Sequence, residues 1–143
     1  MKYRQAVLTD IPAFCRIEKA QPRAAQWTAE GWQTEILAGT SYVLCAEQEG
    51  AVIGFVALRL VADTCEILNV AVDPAYTRQG IGKALLQQAI TWVTTRGARY
   101  VTLEVGRANL PAQRLYQQAG FKQIGERKKF YSEQEDALIL GLE

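Results

Sequence analysis

The stretch from Glu66 to Val105 constrains the fold of this chain more than any other. An apolar, β-branched strand over 66–72 is followed by a glycine-containing turn, a helix over 82–96 and a second strand over 100–105. The helix is indicated by apolar residues at helical spacing, namely Leu85, Leu86, Ala89, Ile90 and Val93. Two strands joined by a helical crossover lie parallel in one sheet, and such crossovers are right-handed. The pattern therefore predicts a mixed α/β domain built around a parallel β-α-β unit.

The rest of the chain supplies further strands and helices on both sides of this unit. Glu49-Gly50 separates two apolar stretches and is a hairpin signature. Thr9-Asp10-Ile11-Pro12 and Thr28 are helix-start signals, the first of which supplies a helix cap. In the first helix, the spacing of Ile11, Phe14, Cys15 and Glu18 predicts one inward face. The predicted strands cover 2–7, 41–48, 51–61, 121–131 and 137–142, and the predicted helices cover 11–20, 28–37 and 111–119. The order β-α-α-β-β-β-α-β-α-β-β predicts a single domain over 1–143, with a seven-stranded mixed sheet and about four helices.

Charge and composition exclude several function classes. The chain has 16 basic and 15 acidic residues among 143, and this net charge of +1 gives no support for direct nucleic-acid binding. No apolar run approaches the roughly 20 residues that span a bilayer. The first residues lead directly into a strand and lack the apolar core of a signal peptide. We therefore expect a cytoplasmic protein without a membrane partner.

The complete absence of histidine narrows the possible chemistry further. It removes Ser-His and Cys-His nucleophiles and the usual zinc sites, so no metal is expected. Cys15, Cys45 and Cys65 are odd in number, widely spaced and set among apolar neighbours, which predicts buried free thiols. Acid–base chemistry near neutral pH must then use carboxylates, tyrosines, lysines or water.

The turn that opens the crossover helix has the character of an anion site. Backbone N–H groups at a helix start lack intrahelical partners, and glycine lets the main chain approach a phosphate closely. The turn is not a Walker loop, because Lys83 is followed by Ala84, and it is not the dinucleotide fingerprint, because position 85 is Leu. A plain glycine-rich turn remains the alternative. The residues of this glycine loop are Arg78, Gln79, Gly80, Ile81, Gly82 and Lys83.

The glycine loop resembles the Arg/Gln-X-X-Gly-X-Gly/Ala signature of the GNAT N-acetyltransferases, and Val-Ala-Val-Asp-Pro precedes it at 70–74 as in that family. The resemblance covers nearly the whole chain. Further matches are to the RimI branch, whose members acetylate the N-terminal alanine of a ribosomal small-subunit protein. These are Leu103-Glu104-Val105, Asn109, Leu115-Tyr116, Ala119-Gly120-Phe121, Tyr131 and Glu135-Asp136-Ala137-Leu138. The resemblance implies the GNAT acyl-CoA N-acyltransferase fold, acetyl-CoA as cosubstrate and a loop that binds its pyrophosphate.

Several positions depart from the RimI pattern. Gly106 and Ala108 stand where Arg and Ser are usual, and Ser132 replaces the proline of a Tyr-Tyr-Pro segment ahead of a shorter loop. Gln26-Trp27-Thr28 replaces an N-terminal Pro-Trp-Ser. In the family most of these positions shape the acceptor pocket, so the departures concern the acceptor more than the reaction.

Two residues are the candidates for proton transfer. An α-amine with a pKa near 8 needs a base at neutral pH, and without histidine Glu104 is the best candidate, acting through one or two waters. An ion-paired or solvent-facing strand glutamate is the alternative. Tyr116 is the candidate acid for the departing thiolate, and a core aromatic that packs a short helix is its alternative.

The resemblance assigns further contacts. It places the backbone N–H groups of Val70, Ala71 and Val72 on the thioester carbonyl and the pantetheine arm, as a form of oxyanion support. It also gives Asn109 a cofactor contact, although a pure helix cap is a serious rival. Tyr131 is expected to line the acceptor entrance, with a surface aromatic as the alternative.

The function predicted for the chain is acetyl transfer from acetyl-CoA to the N-terminal α-amine of a protein, with alanine as the terminal residue and a ribosomal small-subunit protein as the substrate. The alternatives are a GNAT enzyme acting on a small amine, a protein lysine or aminoacyl-tRNA, and a non-catalytic acyl-CoA-binding module. The net charge of +1 disfavours the tRNA substrate. The expected assembly is a monomer or a weak dimer.

Overall fold

The structure is a computed structural model that describes residues 1–132 and 135–143, apart from the side chains of 129–132 and 135. The described residues form four α-helices and one seven-stranded sheet. The strands are β1 (Lys2–Gln5), β2 (Ser41–Gln48), β3 (Ala51–Val61), β4 (Thr64–Val72), β5 (Tyr100–Gly106), β6 (Lys122–Ser132) and β7 (Glu135–Leu142). The α-helices are α1 (Ile11–Ala20), α2 (Ala29–Leu37), α3 (Ile81–Thr95) and α4 (Leu110–Gln118).

The sheet has the strand order β1-β2-β3-β4-β5-β7-β6. Only the pair β4–β5 is parallel in this described sheet, and α3 connects those two strands, so the predicted parallel β-α-β unit is confirmed. The predicted hairpin is also confirmed, because Glu49 and Gly50 both have positive φ (52° and 81°), as a two-residue turn of type I′ requires.

Two apolar clusters fill the space on either side of the sheet. On one face, α1 and α2 pack on a cluster that includes Phe14, Trp32 and Phe55. On the other face, α3 and α4 pack on a larger cluster that includes Leu85 and Tyr116. These are called the α1–α2 face and the α3–α4 face below. The mixed α/β fold predicted from the sequence is therefore confirmed.

The helix α1 begins at Ile11, as predicted, but without the side-chain cap expected from Thr9-Asp10-Ile11-Pro12. Asp10 makes no side-chain cap to this helix. Its carboxylate instead accepts hydrogen bonds from the Arg4 guanidinium (2.8 and 2.9 Å) and from the Val7 N–H (2.8 Å), and the Arg4 bond holds the pKa of Asp10 below its usual value. The buried face was also predicted incompletely, because Ile17 is buried beside Phe14 whereas Cys15 is only half-buried.

A β-bulge interrupts β4 at Leu68. The register with β3 pairs Leu58 with Ile67 but Ala57 with Asn69, so Leu68 is one extra residue in β4. The bulge exchanges the faces of the strand. Ile67 contributes to the core of the α3–α4 face before the bulge, whereas Asn69 turns toward α1 after it.

The same bulge lies where β4 separates from β5. Their parallel pairing runs from Thr64–Tyr100 to Ile67–Leu103 and does not continue beyond it in the described sheet. Past this point, β4 stays paired with β3 and β5 stays paired with β7. The strands therefore diverge toward their carboxyl ends, between residues 68–72 and 104–106. We call this gap the β4–β5 opening.

Gly54 of β3 allows β4 to pack tightly at this end of the sheet. A Cβ at Gly54 would lie 3.0 Å from Leu85 Cδ1, 3.2 Å from the Ala71 carbonyl oxygen and 3.4 Å from Val72 Cγ2. We predict that Gly54→Ala lowers the free energy of unfolding by about 1–3 kcal/mol, because the added methyl overpacks a filled core. Urea denaturation measures the change.

Gly39→Ala is the matched control, because a Cβ at Gly39 would meet no atom within 4 Å. We expect its unfolding free energy to change by less than about 0.5 kcal/mol. Equal losses in the two variants would contradict the proposed close packing at Gly54.

Candidate active site

The β4–β5 opening exposes main-chain hydrogen-bonding groups of β4. Asp73 N donates to Ile53 O at 2.8 Å, which identifies the hydrogen-bonded pairs of the β3–β4 ladder. By the alternation of an antiparallel pair, Ala71 directs its N–H and C=O to β3, whereas Val70 and Val72 direct theirs away from β3 toward the opening. Of the three residues whose backbone groups were predicted to contact the cofactor, Val70 and Val72 thus face the opening, and Ala71 is paired with β3.

The glycine loop lies at the carboxyl end of β4 and leads into α3. Gly80 is the N-cap residue with φ 78°, and Arg78 also has a left-handed backbone with φ 64°. The first helical N–H groups follow at Ile81, Gly82 and Lys83, and groups at such positions have no carbonyl partner within a helix. Ile81 is buried, so its side chain serves the core, whereas Arg78 and Lys83 are exposed. The arrangement offers N–H donors and positive charge together.

Gly82 marks the place where the loop, the opening and α4 meet. A Cβ on Gly82 would lie 3.6 Å from Leu115 Cδ2 and 3.7 Å from Val72 Cγ2. The start of α3, the end of β4 and the middle of α4 are therefore in contact. The glycine loop and the Leu115-Tyr116 pair, which the sequence indicated separately, thus lie in one region.

Glu104 extends from β5 onto the α1–α2 face. Its strand neighbours Leu103 and Val105 belong to the core of the α3–α4 face, and successive side chains of a strand alternate. Glu104 Oε1 forms an ion pair with Arg127 Nη2 at 2.8 Å, and the Glu104 side chain is 18% exposed. The Arg127 partner was not predicted from the sequence. The strand β7 lies between β5 and β6, and no local sequence pattern indicates this strand order.

Tyr116 lies on the opposite side of the sheet. It is buried in the core of the α3–α4 face, and its ring packs edge-on against Phe121 at 5.8 Å between centroids. The packing role considered for this residue is therefore present. Because Leu115 beside it touches the Gly82 region, Tyr116 is placed on the helix that closes the α3–α4 side of the opening.

Asn109 caps α4. Its Oδ1 accepts a hydrogen bond from Ala112 N at 3.4 Å, so the cap considered for it is formed. Gln113 fixes the same turn, because its Nε2 donates to the carbonyls of Gly106 and Arg107 at 3.0 and 2.8 Å. The capping contact does not test the cofactor contact implied for Asn109.

The C-terminal residues that carry the RimI resemblance, including Tyr131 at the expected acceptor entrance, are only partly covered by the structure. The side chains of Tyr131, Ser132 and Glu135 lie outside the described residues. Asp136 is described, and its Oδ2 lies 3.5 Å from Lys128 Nζ and 3.8 Å from Arg107 Nε. Gln21 was missed by the sequence analysis. Its Nε2 donates to the Val72 carbonyl at 2.7 Å, which places it at the edge of the opening.

The three cysteines are free thiols, as predicted, with Cys45 and Cys65 buried and Cys15 half-buried. Burial raises the pKa of Cys45 to about 11 and that of Cys65 to about 12. Within residues 1–132 and 135–143, no three Cys, Asp or Glu side chains converge as metal ligands, and no helix is long and apolar enough to cross a membrane.

Comparison with known proteins identifies the class. The sequence model of the Acetyltransferase (GNAT) family matches residues 7–121. That match covers more than half of the chain, and the fold and the glycine loop agree with it. The chain belongs to the GNAT acetyltransferase family.

Individual relatives are more specific. The chain is 34% identical to the [ribosomal protein bS18]-alanine N-acetyltransferase of Escherichia coli (strain K12), over 94% of this chain and 91% of that protein. A crystal structure of the ribosomal-protein-S18-alanine N-acetyltransferase from Escherichia coli superposes with a TM-score of 0.88 at 32% identity, covering 99% and 92% of the two chains. Arabidopsis thaliana NAA60 in complex with acetyl-CoA shares the fold, with a TM-score of 0.87 at 20% identity over 99% and 97%. The predicted resemblance to the RimI branch is confirmed.

Thiol reactivity tests the burial of the cysteines. The thiolate is the reactive form, and a raised pKa keeps the buried thiols protonated. We predict that iodoacetamide near pH 8 modifies only Cys15 in the native protein, and that raising the pH by one unit accelerates that reaction without recruiting Cys45 or Cys65. Mass spectrometry of digests measures the labelling. Native labelling of Cys65 at the rate seen in urea would contradict the prediction.

Proposed function

We propose that this chain transfers an acetyl group from acetyl-CoA to the N-terminal α-amine of a protein, with alanine as the terminal residue and a ribosomal small-subunit protein as the substrate. The observation that carries the proposal is the 34% identity, over 94% of this chain, to an enzyme whose name states that it acetylates an alanine of ribosomal protein bS18. The β4–β5 opening and the glycine loop supply a site with matching chemistry.

The residues at the opening fit acetyl-CoA. The N–H groups at the start of α3, together with Arg78 and Lys83, suit a pyrophosphate. Val70 and the N–H of Val72 present main-chain groups that can pair with the amides of an extended pantetheine arm, while the Val72 carbonyl accepts from Gln21. An N–H of this set can support the thioester carbonyl. Acetyl-CoA itself supplies the acetyl group as a thioester. Gln79 and Asn109 belong to the same proposed cofactor contact.

The positions of Glu104 and Tyr116 suit the two proton transfers. Glu104 stands on the α1–α2 face, so the amine approaches the opening from that side and loses a proton to Glu104, directly or through water. Tyr116 belongs to the α3–α4 face, so it delivers a proton to the thiolate leaving on the other side. Because the amine nitrogen and the thiolate sulfur occupy different positions on the tetrahedral intermediate, base and acid need not compete for space.

The ion pair with Arg127 has a consequence for the base. It occupies Glu104 Oε1 and fixes the orientation of the carboxylate. The remaining acceptor capacity of the carboxylate then receives the proton from the amine. An ammonium group that enters the site is attracted by the same carboxylate, which brings the amine to the base.

The proposal extends to the setting of the reaction. The 143 residues act as one acetyltransferase domain, in the cytoplasm, as a monomer or a weak dimer, without direct binding to nucleic acid or membrane. The net charge of +1 supports the absence of a nucleic-acid partner. Tyr131 lines the acceptor entrance in this proposal, and Gly106 and Ala108 fall among the positions that differ from the RimI pattern.

The glycine loop can be tested against a matched turn. Gly80 and Gly50 have φ of +78° and +81°, and a Cβ at either would meet no atom within 4 Å. Changing each to Ala should cost about 1 kcal/mol of unfolding free energy, because both need a left-handed backbone. We predict that only Gly80→Ala weakens coenzyme A binding, by about tenfold or more. Calorimetric titration measures the affinity, and equal affinities in the two variants would contradict a pyrophosphate site.

The reaction can be tested with peptides. We predict acetylation of a peptide beginning Ala-Arg-Tyr, preferred at least about tenfold over a lysine peptide with a blocked N-terminus. Glu104→Gln and Tyr116→Phe should each lower kcat/KM by about 10²-fold or more, because each removes a proton-transfer group. Steady-state kinetics measures the rates, and thermal shift with coenzyme A serves as the binding control.

Two outcomes would contradict the proposal in different parts. If no N-terminal peptide is acetylated but lysine or a small amine is, the proposed acceptor would be wrong, whereas the acetyltransferase activity would stand. Coenzyme A binding without turnover on any amine, unchanged by either substitution, would identify a non-catalytic binding module.

A further inference from the structure

A buried hydrogen-bond network at the end of α1 has no part in the proton transfers. Glu18 is 1% exposed, yet three donors from three segments converge on its carboxylate. Its Oε1 accepts from Trp32 Nε1 at 2.6 Å, and its Oε2 accepts from Trp27 N and Asn69 Nδ2, both at 3.0 Å. A buried polar group that meets this many partners holds those partners in place, because leaving any of them unpaired is costly.

The network binds the segment between α1 and α2 to β4. This α1–α2 connection comprises residues 21–28, and none of its residues belongs to a helix or strand. Asn69 Oδ1 accepts from Ala25 N at 3.2 Å, in addition to the bond from its amide to Glu18. At the other side of Val70, Gln21 Nε2 donates to the Val72 carbonyl at 2.7 Å. Side-chain hydrogen bonds therefore join the connection to β4 on both sides of Val70.

A second set of hydrogen bonds joins residues within the connection to each other and to the end of α1. Gln26 has a positive φ of 60°, and its Nε2 donates to the carbonyls of Glu18 and Gln21 at 2.7 and 2.8 Å. A left-handed conformation in a residue other than glycine is unfavourable and persists only where its surroundings impose it. The connection is thus held in one shape by polar contacts rather than by secondary structure.

The location of this connection gives it a functional meaning. It lies on the α1–α2 face beside residues 69–72, and Glu104 projects from the same face of the sheet. The connection and Glu104 are therefore on the side of the sheet from which the amine approaches in the proposed reaction. A wall of the acceptor path needs a position fixed within a fraction of an ångström if reacting atoms are to be aligned.

We propose that Glu18 and Asn69 are positioning residues that hold the α1–α2 connection against β4 as one wall of the acceptor site. The inference rests on the proposed function. Neither side chain touches the reacting groups. Their effect is expected on the acceptor and not on acetyl-CoA, because β4 keeps its ladder with β3 when the connection loosens.

The test compares Asn69→Ala and Glu18→Gln with Asp10→Asn. Asp10 is also a buried carboxylate with several donors, but it stands at the opposite end of α1 and away from the connection. Kinetics are measured with the Ala-Arg-Tyr peptide, well below each melting temperature. We expect Asn69→Ala and Glu18→Gln to raise the acceptor KM about tenfold while the acetyl-CoA KM stays within about twofold. Asp10→Asn should lower the melting temperature without changing either KM.

Two further readouts separate positioning from simple loss of stability. Hydrogen exchange should accelerate at the Ala25 and Trp27 amides in Asn69→Ala, because both donate into the network. In the double variant Glu18→Gln/Asn69→Ala, the rise in acceptor KM should be far smaller than the product of the single effects, because both substitutions release the same segment.

Defined results would overturn the inference. An unchanged acceptor KM in a folded Asn69→Ala protein, or equal rises in both KM values, would show that the network only stabilises the fold. Wild-type protein that acetylates no N-terminal peptide would instead contradict the proposed function, and hydrogen exchange would still report whether Asn69 holds the connection.

Discussion

The β-bulge at Leu68 is the feature on which the site depends. One extra residue in β4 coincides with the end of its parallel pairing to β5 and turns Val70 and Val72 so that their main-chain groups point into the gap. Without it, Asn69 would face α3 and the Glu18 network could not reach β4. A single local irregularity therefore creates the opening, sets its hydrogen-bonding groups and connects it to α1.

The sheet also separates the two residues proposed for proton transfer. Strand alternation sends Glu104 to the α1–α2 face, while the neighbouring Leu103 and Val105 pack with Tyr116 on the other face. The gap between β4 and β5 is the passage between those sides. A carboxylate and a phenol can then serve one reaction without contacting each other, which suits a chain that has no histidine to serve as both base and acid.

Local signals in the sequence predicted most of the fold, and long-range pairing explains what they missed. Glu49-Gly50 and the apolar spacing of α3 act over a few residues, and both predictions were confirmed. The bulge at Leu68 depends on register with β3, which no pattern in β4 reveals. Likewise, Glu18 was placed on the inner face of α1, but its partner Asn69 is 51 residues away, so the network required the structure.

The cofactor half and the acceptor half of the proposed site use different chemical groups, and this affects how the specificity for the acceptor can change. The proposed cofactor half relies on main-chain groups of β4 and the start of α3, which most side-chain substitutions leave intact. The proposed acceptor half includes the α1–α2 connection, where the Gln26-Trp27-Thr28 departure from the RimI pattern also falls. Glu18 and Asn69 hold the connection against β4 through buried hydrogen bonds. Residues of the connection that face the acceptor can therefore vary without loosening the connection. A change of peptide preference therefore need not disturb the binding of acetyl-CoA or the base.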